Sequence, residues 1–132
     1  MPASQVEAMA AAAELAVTEL REPFIRTSLR NLDRLRQLFS AAMYRADGWR
    51  AEAYRLAHDL KGQGTTFDFE LVSRIAHALC LQLAVEPTEG DAARDKRALA
   101  HCEALRVILT KDIRGMGGEH GARLLKILSI EP

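Results

Sequence analysis

The segment HDLKGQGTTFDFEL, residues 58 to 71, sets His58 three residues before Lys61, with Gly62 and Gly64 close behind. Residues three and four apart share one face of a helix. A neutral imidazole can attack as a nucleophile, and a nearby ammonium would balance an anion that the ring then carried. Phosphate is the obvious anion. Helical side chains lean toward the N-terminus, so Lys61 and Gly62 cover the surface above His58. Lys61 can return its charge toward the ring, Gly62 leaves the other side bare, and Thr65 on the next turn is again small. Glycine costs a helix about 1 kcal/mol relative to alanine, so this pattern gives up stability for access to the ring.

That chemistry requires an outward-facing histidine. With about 100° per residue from Trp49, the residues Ala53, Leu56, Leu60, Gly64 and Phe67 fall within about 60°, and Ala57 lies at the edge. His58 falls at about 180°, opposite this core stripe. A docking partner would need an apolar rim around the ring. Tyr54 and Ala51 lie four and seven residues back on the same helix. Leu38, on the preceding helix, points away from the stripe expected there and is expected to join them.

The elements that position these groups read as helices nearly everywhere, with no alternating strand pattern. Ser4 and Glu7 form a capping box for a first helix over about residues 4 to 20. Pro23 suits the first turn of a second helix, which places Ile25, Leu29, Leu32, Phe39 and Met43 on one stripe with Leu35 at its edge. That helix ends at Asp47 and Gly48. A third helix is expected over about 49 to 66 and a fourth over about 69 to 85, with Asp68 as N-cap and Val72, Ile75, Ala76, Leu79 and Leu83 inward. Pro87 and Gly90 mark a polar loop. A fifth helix, about 91 to 114, buries Ala98, Cys102, Leu105, Leu109 and Ile113. A short amphipathic tail, about 119 to 130, carries Leu124, Leu125, Ile127 and Leu128. The pattern predicts an all-α antiparallel four-helix bundle over about 23 to 114, with an extra N-terminal helix and a short C-terminal helix, as one domain over 1–132.

Composition narrows the function classes. The chain has 132 residues, 48% of them apolar, enough for one core. Eighteen basic and eighteen acidic side chains cancel, and no basic stripe offers itself to nucleic acid. No apolar run approaches the roughly 20 residues of a membrane span. Two cysteines without CxxC spacing fit reduced thiols, so a cytoplasmic location is expected.

At "HDLKG", residues 58 to 62, the chain resembles the histidine-containing phosphotransfer (HPt) domain family, whose motif is a helical His-x-Leu-Lys-Gly followed by small residues. The resemblance covers the bundle, about residues 23 to 114. It implies that His58 is phosphorylated and exchanges the phosphoryl group with an aspartate of a response-regulator receiver domain. By the same resemblance Lys61 steadies the phosphate and Gly62 admits the receiver. The chain departs from the family at Gln63 and Gly64, where Ser or Ala is usual, and at Asp68, where glycine is often found. The implied protein is a phosphoryl carrier rather than a complete enzyme, with a receiver domain and a histidine kinase, simple or hybrid, as partners; a monomer is expected because most bundle stripes already close on each other. It needs no cofactor of its own, and Mg²⁺ is expected on the receiver.

Three rivals stand against that expectation. A histidine kinase would need the Glu and Pro of an H-box and a nucleotide-binding region, and neither follows "HDLKG". A metal-binding bundle would draw on His77, Cys80, His101 and Cys102; the pattern places His77 in solvent and His101 on a flank. A pseudo-HPt adaptor would bind a partner without transfer, and intact His58 and Lys61 weigh against it.

Overall fold

Helix α1, Ala3–Ser40, is far longer than the pattern suggests. The computed structural model describes residues 2–40, 45–85 and 92–131. The Pro2 carbonyl accepts hydrogen bonds from the Gln5 and Val6 amides at 3.0 and 3.2 Å, so the helix opens there. Ser4 lies inside the first turn, and the expected capping box does not form the start. The expected division between a first and a second helix is also absent, because Pro23 sits within α1. Proline removes one helical hydrogen bond and crowds the preceding turn. Here its ring is exposed, so the carbonyl that loses its amide lies on the watery side. No glycine, asparagine or serine between residues 20 and 24 offers turn chemistry to end the helix.

The buried face of α1 consists of Phe24, Ser28, Leu32, Leu35, Leu38 and Phe39. It is rotated from the expected stripe: Ile25 and Leu29 are only half-buried. Met43 lies outside the described residues. Leu38 is 7% exposed and belongs to the core, so it is not available to a rim around His58. Polar Ser28, 2% exposed at the centre of the face, disguised its true position in the sequence.

Helix α2, Trp49–Gly64, runs into a 3-10 turn, Thr65–Phe67, before α3, Glu70–Ala84. Asp68 adopts left-handed backbone, φ 67°, and the N-cap position of α3 is Phe69 rather than the expected Asp68. This position favours glycine because a Cβ crowds the backbone there; aspartate is among the few residues that tolerate it. Helix α4 is Ala92–Thr110 and α5 is Gly118–Ile127. The expected polar loop with Pro87 and Gly90, and the start at Asp91, lie outside the described residues. In α5 Leu125 is buried, but Ile127 faces solvent, contrary to the tail stripe expected.

Helices α1 to α4 close into a ring in which each packs on two neighbours. Arg34 pairs with Glu52, and Arg21 donates to the Phe67 carbonyl, so α1 and α2 are antiparallel. Ser73 reaches the Lys61 carbonyl and Arg50 the Leu83 carbonyl, giving α2 and α3 the same relation. The fold is thus an all-α bundle, with no strand among the described residues. One hydrophobic cluster spans all four helices and takes in Leu125 of α5. Stacking of Phe24 on Phe67, centroids 4.6 Å apart, ties the 3-10 turn to α1. Arg45 caps the end of α1 by donating to the Leu38 and Phe39 carbonyls, pairs with Asp95 at 2.8 Å and lies over the Trp49 ring. Residues 3–16 of α1 extend past this bundle and are exposed throughout, rather than packing against it.

Candidate functional site

Helix α2 buries Ala53, Leu56, Ala57, Leu60 and Gly64, the stripe that the sequence predicts. Its opposite face therefore points outward, and His58 stands on it, exposed. Tyr54, one turn earlier and 42% exposed, stacks on the imidazole with ring centroids 5.9 Å apart and planes at 24°. The tyrosine fixes one side of the ring and leaves an apolar edge beside it. Lys61, one turn later, is half-buried, and among the described residues no carboxylate pairs with it. Its ammonium is therefore not engaged by an anion among the described residues. Arg55 adds a second exposed cation one turn before His58.

The two glycines of this segment serve different ends. A Cβ built on Gly62 meets nothing within 4 Å, so no packing requirement excludes a side chain there. A Cβ on Gly64 would press into Ser73 Oγ and lie 2.9 Å from the Phe69 carbonyl oxygen. Gly64 is thus needed for the close approach of α2 and α3. Ser73, which the sequence reading missed, uses that closeness. Its hydroxyl donates to the Lys61 carbonyl at 2.7 Å and accepts from Thr65 Oγ1 at 3.1 Å. Exposed Thr65 is thereby held at the rim, and the backbone beneath Lys61 is anchored to α3. A serine in an otherwise apolar helix face opposite a glycine was the available signal.

Of the residues predicted for the site, Tyr54, His58, Lys61 and Gly62 share the outer face of α2, exposed Thr65 follows in the 3-10 turn, and Leu38 lies in the core. The α2–α3 register, with residue 61 near 73 and 50 near 83, puts His77 of α3 about level with His58. His77 is half-buried with Nδ1 shielded and unpartnered, rather than solvated as expected. His101 also departs from expectation. It is 2% exposed between α3 and α4, with Nδ1 2.6 Å from the Arg97 carbonyl and Nε2 3.2 Å from Gln82 Nε2. Burial holds its pKa below the usual histidine value, so the ring is neutral, donating from Nδ1 and accepting at Nε2. Burial likewise raises the Cys80 thiol and pushes Cys102 up to about 12. Among the described residues no three His, Cys, Asp or Glu side chains gather where a metal could bind.

A sequence model of the Hpt domain matches residues 19–112. The chain belongs to the Hpt domain family. Hpt domains are phosphocarrier modules of phosphorelays, and they interact with receiver domains and kinases. The match covers the bundle from the exit of the exposed part of α1 to the end of α4, and so includes the outer face of α2. Neither a curated protein nor a solved structure matches the chain.

Proposed function

We propose that this Hpt domain carries a phosphoryl group on His58, to or from an aspartate of a response-regulator receiver domain. The observation that carries the reading is the exposed imidazole beside Gly62, where open space stands in place of any packing need. A lone pair of one ring nitrogen attacks phosphorus, and the aspartate carboxylate leaves with the electrons of the broken P–O bond. The reverse step regenerates the acyl phosphate. Such transfers depend mostly on alignment and charge neutralisation. Tyr54 orients the ring, Lys61 offers its ammonium to the phosphoryl oxygens, and Gly62 with Thr65 keeps the approach low. The receiver contributes the aspartate and Mg²⁺, and a histidine kinase stands elsewhere in the relay. No described helix is long and apolar enough to cross a membrane; we place the protein in the cytoplasm.

Incubation with a phosphorylated receiver tests the proposal. The chain should acquire phosphate that withstands alkali and is lost in acid, and His58→Gln should acquire none. Labelling that persists in His58→Gln would end the assignment, and no labelling of the native chain by any receiver would favour an adaptor. Lys61→Ala should slow transfer about tenfold, the effect of losing about 1.4 kcal/mol of charge stabilisation in the transition state, with an unchanged unfolding midpoint.

A further inference from the structure

The exposed part of α1 is not a polar spur. With about 100° per residue, Val6, Ala10, Ala13, Val17 and Leu20 continue the same face that buries Phe24, Ser28, Leu35 and Phe39. Within the bundle that face is covered by α2 and α4; over residues 3–16 it is exposed. Val6 and Leu20 are more than half exposed, and Met9 beside them is 59% exposed. The charges on the flank of this face are ordered. Glu7 and Glu14 lie toward the start of α1, and Arg21 lies seven residues further on, where the helix enters the bundle. There Ala13, Glu14, Val17, Arg21 and Arg114 line an open notch beside α1.

We infer that this face pairs with the same face of a second copy, antiparallel, so that the N-terminal part of each α1 seats in the notch of the other. A two-fold axis near residue 13 sets apolar face on apolar face and brings Glu7 of each copy toward Arg21 of the other, as an isologous contact requires. Arg114 is already held by Asp112, and Glu14 meets its own counterpart near the axis, a like-charge contact that weakens the pair. Among the described residues Arg21 commits only its Nε, to the Phe67 carbonyl, which leaves its terminal nitrogens for the incoming carboxylate. A membrane is the poorer occupant. The exposed segment carries Glu7, Glu14 and Glu19 and no lysine or arginine before Arg21, whereas helices that lie on anionic lipid are basic on their polar side. An overlap of about 19 residues is about 28 Å long. With alanine at two central positions, it falls at or below the roughly 1,000 Å² expected of a durable interface. The pair is therefore reversible, with a dissociation constant of about 10–100 μM. The outer face of α2 lies on the bundle itself, so pairing leaves His58 open.

Sedimentation equilibrium of the full chain from about 5 to about 500 μM brackets that affinity and tests the inference. Mass should rise from monomer to dimer across the range, and Val6→Glu with Ala13→Glu should stay monomeric throughout while keeping the native unfolding midpoint. Both substituted positions are exposed, so the bundle should tolerate them. Direction is read by mild oxidation: Ala13→Cys should form a disulfide-linked dimer and Val6→Cys should not, Cys80 and Cys102 being buried. A native chain that stays monomeric at the highest concentration would overturn the inference, as would a dimer that survives the double substitution. Self-linking through Val6→Cys would show a parallel pair and remove the proposed geometry. Monomers that instead bind phosphatidylcholine vesicles would hand the face to a lipid surface.

Discussion

His58 and His101 sit on the same bundle in opposite circumstances. His58 has open solvent on the outer side of α2, one stacked tyrosine and a nearby lysine. His101 has both ring nitrogens engaged between α3 and α4 and almost no exposure. One ring is free to change its covalent state and charge; the other is held in a single neutral form because a charge there would lose its water. Identity of the side chain therefore says little about its use until the face that it occupies is known.

Substitution should separate the two rings cleanly. His101→Ala leaves a cavity and strands the Gln82 amide, and should cost about 2–4 kcal/mol in urea denaturation while the remaining folded protein still accepts phosphate. His58→Gln should leave stability within about 0.5 kcal/mol of native. A large loss for His58→Gln would dissolve the contrast. The glycines sharpen it next. Gly64→Ala forces a methyl group against Ser73 and the Phe69 carbonyl, and should cost about 2–3 kcal/mol. Gly62→Ala should add up to about 1 kcal/mol by helix propensity and yet slow phosphotransfer, as measured by receiver exchange kinetics.

Acid provides a third comparison. Burial depresses the folded-state pKa of His101 below its unfolded value, so neither state binds that proton well above about pH 6.5. As pH falls through 6.5 the unfolded chain takes up a proton that the folded chain refuses, and stability declines until the folded pKa is passed. Urea midpoints should therefore fall between about pH 6.5 and 5, with a shallower slope in a His101→Leu variant. A small gain is expected at the turn before α3, where Asp68→Gly relieves a left-handed aspartate and should raise stability by about 0.5–1 kcal/mol.

The fold class and the outer face of α2 were legible because periodicity alone places them. Ala53, Leu56, Leu60 and Gly64 recur at helical spacing, and His58 must then lie opposite. Continuity of α1 was concealed by Pro23, which local rules read as a boundary even though the apolar face runs through it in phase. Leu38 was misplaced because Ile25 and Leu29 drew the stripe toward themselves, while the true centre held a serine. His101 escaped for a related reason. A polar residue in a core position is recognisable only from the neighbours that satisfy it, and Gln82 belongs to another helix. Ser73 and its bond to Lys61 likewise join parts of the chain that only folding brings together.

Gly62 has one more implication, for how such a protein would change under selection. Nothing in the packing resists a methyl group at that position, and the helix would welcome it. A library screened only for heat tolerance should gather alanine there and, generation by generation, lose the transfer proposed for His58.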